Sequence, residues 1–149
     1  EIEFQVILNR GFEPKPISQV ASGGELSRVM LALKTILAKL DSVPTLVFDE
    51  VDAGIGGRVA LQVGDKMRQV AETHQVLSIT HLPQIASRAH RHLLVQKDEG
   101  TERTSTTVVS LDADERIGEI ARMLGGDPES DVSLTHAREL LEKGAAAGV

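Results

Sequence analysis

Two short stretches of the sequence carry residue types that suit phosphate chemistry. The first, Ser22–Glu25, places a serine and two glycines before an amphipathic segment, and glycines let the backbone approach an anion at the start of a helix. The second puts two adjacent carboxylates, Asp49 and Glu50, after an apolar stretch, where they can hold Mg²⁺ and orient a water molecule. The pattern G-x-x-x-x-G-K-[ST] does not occur, so the usual phosphate-binding loop is not in this sequence.

The glycine stretch has a second interpretation that involves no ligand. Ser22 is a good N-cap, and Glu25, three residues later, completes a capping-box pattern. A helix with a 3.6-residue apolar period follows, and we expect its apolar stripe to be buried. The stripe consists of Leu26, Val29, Met30, Leu33, Ile36, Leu37 and Leu40. A well-capped helix after a glycine turn therefore explains these residues as well as an anion site does.

A strand–helix–strand unit is predicted to position the two carboxylates. Thr45–Phe48 is predicted to be a buried central strand, a helix is predicted over 57–73, and Gln75–Thr80 is predicted to be a second buried strand. Such units join parallel strands through right-handed crossovers. Because open α/β sheets place their chemistry beyond the carboxyl ends of the strands, the carboxylates and His81 should share one edge. The apolar face of the helix consists of Val59, Ala60, Val63, Met67 and Val70.

The remaining segments are predicted from the same local signals. A half-buried strand is expected over 1–9, with Ile2, Phe4, Val6 and Leu8 on one face. The other expected elements are a loop (10–19), a short helix (83–89), a strand (92–97), a turn (98–101), a strand (104–111), a helix begun by Asp112, a helix (131–143) and a frayed end (144–149). This order predicts an α/β fold with a parallel sheet, a C-terminal hairpin and two helices.

Composition limits the class of protein. The 149 residues carry a formal charge of −6, which argues against a simple nucleic-acid-binding domain. Apolar residues make up 41% and aromatic residues only 2%, so the core should be aliphatic. There is no cysteine, and hence no disulfide or cysteine-bound zinc. Because no signal peptide or membrane-length apolar run occurs, we expect one soluble, cytoplasmic domain over 1–149.

Four motifs, in this order, resemble the C-terminal half of an ABC-type ATPase head. They are the ABC signature (Ser22–Glu25), a Walker B strand with its catalytic glutamate (Thr45–Glu50), the D-loop (Val51–Gly54) and the switch histidine (His81). Longer runs resemble the RecN family, the bacterial SMC-like proteins of DNA double-strand-break repair. Those runs are Val20–Arg28, Phe48–Ile55, Thr80–Gln84 and Met123–Gly126. The resemblance covers essentially the whole chain.

The resemblance implies a parallel-sheet lobe of an ABC/SMC-type P-loop ATPase head, with ATP and Mg²⁺ as cofactors. It implies that Asp49 helps to hold Mg²⁺, that Glu50 orients the attacking water, and that His81 hydrogen-bonds the γ-phosphate. Asp52 would order the D-loop against a second head. The ATP held by that second head would be bound by Ser22, Gly23, Gly24 and Glu25.

The sequence also departs from the complete family pattern. Ala21 stands before the signature serine, where transporters usually carry leucine, and Glu25 stands where many signatures have glutamine. The family's Walker A lysine, Q-loop glutamine and coiled-coil arm have no counterpart here. We therefore expect a C-terminal lobe that an N-terminal lobe completes, acting as an ATP-dependent homodimer on DNA near the bacterial nucleoid, with no membrane partner.

Two other functions fit parts of the sequence. A non-catalytic lobe could use the motifs to shape a dimer interface, although the intact Asp49, Glu50 and His81 argue against it. An unrelated Mg²⁺-dependent hydrolase would use Asp49, Glu50 and Asp52 and would work without a partner lobe. A basic cluster could contact DNA, although a solvated face is the favoured interpretation. The cluster comprises Arg88, His90, Arg91 and His92.

Overall fold

The N-terminal residues form a small antiparallel pair. The computed structural model of the protein describes residues 3–7, 10–19, 22–37, 42–99 and 104–146. Strand β1 (Gln5–Val6) pairs with strand β2 (Lys15–Pro16), and a short 3-10 helix follows over Ile17–Gln19. The prediction of an irregular loop over 10–19 is therefore wrong in part.

The first strand is shorter and less buried than its alternating pattern predicts. Phe4 and Ile7 are exposed, so the predicted inward face is not covered in this chain. Ile2 and Leu8 lie outside the described residues. The physical reason is that β1 has a two-residue partner, and no second layer packs on the pair in the described part of the chain.

Helix α1 (Gly23–Leu37) begins where predicted but buries a different side. Its buried residues are Gly24 and Leu31. Leu31 packs into the main core beside helix α2 (Gly57–Val70), whereas most of the predicted stripe is exposed. The exposed members of the stripe are Leu26, Met30, Ile36 and Leu37. Leu40 lies outside the described residues.

Strands β3 (Thr45–Phe48) and β4 (Gln75–Ser78) are parallel, as predicted. Thr45 lies opposite Gln75 and Phe48 opposite Ser78, and helix α2 connects the two strands. Helix α2 ends at Val70 and β4 at Ser78, each two or three residues before its predicted end. The unit therefore has the predicted type and order, with slightly shorter elements.

The two-stranded parallel sheet is covered on one face. Leu46 and Phe48 are buried, but Val47 is 65% exposed and its cross-strand neighbour Leu77 is 44% exposed. Ile79, immediately after β4, is also exposed. The prediction that both strands are buried is therefore wrong for this face of the sheet.

The main core forms between the covered sheet face and the helices. Val59, predicted on the apolar face of α2, is exposed and lines an open groove between α1 and α2. The buried residues of this core are Leu31, Leu46, Phe48, Val51, Ala60, Val63, Met67, Val70 and Ile85. All of them except Phe48 and Met67 are Leu, Val, Ile or Ala, in line with the aliphatic core that the composition predicts.

A short helix, α3 (Pro83–Ala86), joins this core to a second one. Pro83 occupies its first turn, where a missing N–H costs nothing. Ile85 packs in the main core, and Ala86 packs in the second core beside the C-terminal helices. The two cores are thus linked through adjacent residues.

An antiparallel hairpin follows, made of β5 (Leu93–Glu99) and β6 (Thr104–Ser110). The hairpin is predicted correctly, but Asp98 and Glu99 belong to the strand and not to the turn. Gly100 and Thr101, the rest of the predicted turn, lie outside the described residues.

Helices α4 (Ala113–Met123) and α5 (Asp131–Ala146) pack together to form the second core. The predicted helix start at Asp112 is confirmed and takes the form of a capping box: the Glu115 N–H donates to Asp112 Oδ1 at 2.9 Å, and the Asp112 N–H donates to Glu115 Oε2 at 2.9 Å. The buried residues of this core are Ala86, Ile120, Ala121 and Ala137.

The predicted frayed end is wrong for residues 144–146. Gly144 is buried inside α5, and a Cβ atom added there would collide with the Ser87 carbonyl oxygen. The glycine is therefore a close-packing position and not a helix stop. Residues 147–149 lie outside the described part of the chain. No helix within the described ranges is long and apolar enough to span a bilayer.

Candidate functional site

The carboxylates after β3 are both accessible to solvent. The Glu50 N–H donates to Asp49 Oδ1 at 2.9 Å, and the Ala53 N–H donates to the Glu50 carbonyl oxygen at 2.9 Å, so a tight turn begins at Glu50. Glu50 has a φ of +54°, a left-handed conformation that is strained for a residue with a side chain. Strained backbone of this kind persists only where the surrounding structure holds it in place, and it is concentrated at functional sites.

The N-terminus of α1 lies directly beside this turn. Ser22 Oγ accepts the Glu25 N–H at 3.2 Å, which confirms the N-cap half of the predicted capping box. Because Oγ acts here as an acceptor, the hydroxyl proton of Ser22 is free to donate elsewhere. A Cβ atom added at Gly23 would lie 2.5 Å from Glu50 Oε2. The segment Ser22–Gly24, which we call the glycine turn, therefore contacts the Glu50 carboxylate.

Gly24 is required by packing. A Cβ atom added there would lie 2.8 Å from the Ala53 Cβ and 2.8 Å from the Glu50 carbonyl oxygen. Real Cβ contacts are essentially never that short, and one of the two neighbours is backbone. The second glycine therefore sets how closely α1 approaches the loop after β3.

We expect Gly24→Ala to destabilise the chain by about 1–3 kcal/mol, because the added methyl group overpacks a fixed contact. Gly118→Ala is the matched control: a Cβ atom there meets nothing within 4 Å, and the change should stabilise α4 by up to about 1 kcal/mol. Urea unfolding followed by circular dichroism measures both. Equal stability of the Gly24→Ala and wild-type chains would contradict this packing.

Two polar side chains of α1 hold the loop after β3. Ser27 Oγ donates to the Asp49 carbonyl oxygen at 2.7 Å. Arg28 Nη1 donates to the carbonyl oxygens of Val51 at 3.1 Å and Ala53 at 2.9 Å. Sequence reasoning missed both residues, because polar positions on an amphipathic helix predict a solvent-facing side. Helix α1 and the loop after β3 are thus joined by direct hydrogen bonds.

Asp52 is buried within its own chain, and its role in ordering the loop against a second head stays a prediction. Its Oδ2 accepts the Thr80 hydroxyl at 2.6 Å and the His81 N–H at 2.9 Å. His81 Nδ1 lies 2.9 Å from the same oxygen. The loop after β3 and the end of β4 are therefore joined through one carboxylate, and Thr80 is a site residue that the sequence did not single out.

The structure brings the predicted site residues to one edge of the parallel sheet. The glycine turn contacts Glu50, and Asp49 and Glu50 directly follow β3. Asp52 joins His81 to the loop after β3. Glu25 contributes its backbone N–H to the helix cap. Within the described residues, its side chain makes no hydrogen bond that would mark it as a site residue. The arrangement groups helix N–H groups, two accessible carboxylates and an imidazole, which together suit a phosphate and its attacking water.

The donor set for a divalent cation is partial. Within the described ranges, no group of three or more His, Asp or Glu side chains is arranged to hold a metal ion. Asp49 can offer a single carboxylate. Since Mg²⁺ is usually held by one or two carboxylates together with waters and substrate phosphates, this set fits Mg²⁺ that arrives with a nucleotide.

The basic cluster is only partly a solvated face. Arg88 is buried, with its Nε 2.8 Å from Asp65 Oδ1 and its Nη1 donating to the Leu140 carbonyl oxygen at 3.3 Å. Burial and the nearby Arg116 guanidinium lower the pKa of His92, although Glu119 opposes the shift. His92 is therefore neutral at pH 7. The favoured interpretation is wrong for Arg88, because it joins α2 to α5.

Sequence comparison finds relatives along nearly the whole chain. DNA repair protein RecN of Treponema pallidum is 48% identical over 145 residues, covering 97% of this chain and 25% of that protein. The RecN of Deinococcus radiodurans is 55% identical over 133 residues, which cover 89% of this chain and 23% of that protein. The RecN of Streptomyces coelicolor is 45% identical over 146 residues, which cover 98% of this chain and 26% of that protein. The chain spans about a quarter of the length of these relatives. No protein-family model matches it.

Structural comparison finds the same fold in a chain from work on ATP-driven dimerization and DNA-stimulated activation of SMC ATPases. The two are 24% identical with a TM-score of 0.54, and the match covers 76% of this chain and 68% of that one. The fold is thus a mixed α/β segment like that of an SMC ATPase head. This finding confirms the predicted fold class.

Proposed function

Because this chain is homologous over nearly its whole length to a segment of the DNA repair protein RecN, we propose that it is the C-terminal lobe of a RecN-like ATPase head. ATP binding would bring two heads together and hydrolysis would release them. This cycle would function in the repair of DNA double-strand breaks. The observation that carries the proposal is the grouping of the glycine turn, Asp49, Glu50 and His81 at one edge of the sheet.

Each group has a role that its geometry supports. Glu50 presents an accessible carboxylate that can orient and polarise the attacking water. Asp49 would help to hold Mg²⁺, which when bound neutralises charge on the phosphates. His81, whose ring is 76% exposed, can hydrogen-bond a γ-phosphate oxygen.

The glycine turn supplies donors for a phosphate of the partner head's ATP. The first N–H groups of α1 have no partner within the helix, and the Ser22 hydroxyl keeps its proton for donation because its oxygen accepts the Glu25 N–H. Hydrolysis is thereby coupled to dimerisation, since a helix N-terminus on one head closes over phosphates held by the other.

An uncovered apolar surface is consistent with the proposal that a second lobe packs against this chain. Parallel sheets are normally covered on both faces, yet Val47, Leu77 and Ile79 are exposed on one face of the β3–β4 sheet. The exposed stripe of α1 adds to the apolar area. Since the relatives are about four times longer than this chain, the remainder of such a protein is long enough to supply the N-terminal lobe that carries the Walker A loop.

Co-expression tests the proposal. This chain, produced together with the N-terminal part of the same head, should hydrolyse ATP in the presence of Mg²⁺, whereas the chain alone should neither hydrolyse ATP nor bind it with micromolar affinity. The reason is that the phosphate-binding loop is not in this sequence. Phosphate release and calorimetric titration measure the two properties. Turnover by the chain alone would favour a self-sufficient Mg²⁺-dependent hydrolase instead.

A further inference from the structure

We infer that Thr80 and Asp52 are positioning residues that fix a proton on Nδ1 of His81 and direct Nε2 of that ring toward the nucleotide. The inference rests on the proposed function and adds to it the identity of the ring atom that meets the phosphate. It concerns the tautomer and the orientation of the imidazole.

The geometry centres on one oxygen atom. Asp52 Oδ2 lies 2.6 Å from Thr80 Oγ1, 2.9 Å from the backbone nitrogen of His81 and 2.9 Å from Nδ1 of the His81 ring. The Asp52 side chain is 6% exposed and the His81 side chain 76% exposed. A buried acceptor therefore holds one edge of a ring whose other edge is open to solvent.

The hydrogen-bond donors around this oxygen assign the ring proton. The His81 backbone N–H can only donate. Thr80 Oγ1 accepts the Leu82 N–H at 3.0 Å, so its own proton is available for the short contact to Asp52. An ionised carboxylate has acceptors and no proton to give. The remaining contact, to Nδ1, is then a hydrogen bond in which Nδ1 carries the proton.

Fixing this proton keeps the ring in one orientation during the reaction. The neutral ring has a bare Nε2, which can accept a proton from water, and the protonated ring has an Nε2–H, which can donate to a phosphate oxygen. Nδ1–H is retained in both states, so the bond to Asp52 persists when Nε2 gains or loses a proton. Asp52 and Thr80 therefore act through His81 and do not touch the nucleotide.

Nitrogen NMR of the chain without nucleotide tests the inference directly. Two-bond proton–nitrogen spectra of the histidine rings, with His81 assigned through His81→Gln, report which nitrogen of the neutral ring is protonated. We expect Nδ1–H for His81, the tautomer that free histidine disfavours, and the usual Nε2–H for the exposed His90. An Nε2–H tautomer for His81 would overturn the inference.

Substitutions separate the contribution of Thr80 from that of the fold. Thr80→Val keeps the shape and removes the hydroxyl that holds Asp52 Oδ2 in place. The carboxylate can then turn away from Nδ1, so the His81 tautomer should shift toward Nε2–H. Thr80→Ser restores the hydroxyl and should restore the wild-type tautomer. A backbone amide spectrum shows whether each variant is folded, and Asp52→Asn provides a second variant with the same expected shift if Thr80→Val unfolds. Identical His81 spectra for the folded Thr80→Val or Asp52→Asn chain and wild type would overturn the inference.

Kinetics of the co-expressed head provide an independent readout. Thr80→Val should lower kcat about 10- to 100-fold, as for other groups that orient a functional histidine, with little change in KM for ATP. Thr80→Ser should stay near wild type. A raised KM with unchanged kcat would overturn the positioning role. A wild-type head without turnover would instead contradict the proposed function, while the NMR result on the chain alone would stand.

Discussion

Glu50→Gln in a complete head is expected to leave ATP binding intact and to reduce hydrolysis by about 10²- to 10⁴-fold. The amide has the shape of the carboxylate but does not polarise water as an anion does. The backbone at residue 50 should be unaffected, because its φ of +54° and the Asp49 hydrogen bond involve main-chain atoms of residue 50. ATP-bound dimers should therefore accumulate.

Single-turnover hydrolysis and size-exclusion chromatography with ATP measure the two effects. Glu72→Gln is the control, since Glu72 is an exposed carboxylate outside the site, just after α2. It should hydrolyse ATP at the wild-type rate. Normal turnover by Glu50→Gln would remove Glu50 from the reaction and require another base.

The types of the elements could be predicted because their signals are local. The capping box of α4 depends on residues three positions apart, Asp112 and Glu115, and both of its hydrogen bonds are present. The parallel pairing of β3 and β4 follows from a helix between two short apolar runs. The order and antiparallel pairing of the hairpin strands follow from the same kind of local pattern, although the first strand continues two residues beyond its predicted end.

Which surfaces are buried could not be predicted, because periodicity shows that a face is apolar and not what covers it. The α1 stripe predicts a buried face, yet Leu31 packs against the core while Ile36 is 77% exposed. A glycine at position 144 favours the prediction of a frayed helix end. In the structure, its lack of a side chain lets α5 pack closely against the Ser87 carbonyl oxygen. Both outcomes depend on contacts between distant segments.

The sequence singles out the motif residues of the candidate site but not the residues that hold them in place. Asp49, Glu50 and His81 stand out because they follow apolar strands. Arg28 and Thr80 act through hydrogen bonds to partners 23 to 28 positions away in the chain, and no local pattern encodes these partners. The role of Asp52 toward a second head stays a prediction, and within its own chain the carboxylate accepts hydrogen bonds from Thr80 and His81.

Mixing two inactive heads should restore activity. In the proposal, the glycine turn serves the partner's ATP and Glu50 serves the ATP of its own head. Ser22→Arg fills the anion site with a bulky side chain, and Glu50→Gln removes the base, so homodimers of either variant have no competent site. A mixed dimer has one site damaged twice and one site intact.

The structure makes this experiment informative, because the glycine turn and Glu50 contact each other within one chain. If both acted on the same phosphate, every site in a mixed dimer would carry one of the two defects. The two arrangements therefore differ in whether any intact site can form at all, and the binding of ATP to either variant alone would not distinguish them.

ATP hydrolysis by an equimolar mixture of Ser22→Arg and Glu50→Gln heads is the most direct test of a shared site. Random pairing makes half of the dimers mixed, each with one of two sites intact, so activity should return to about a quarter of wild type. Cross-linking of differently tagged heads would verify that mixed dimers form. Background-level hydrolysis in a mixture that contains mixed dimers would contradict the account.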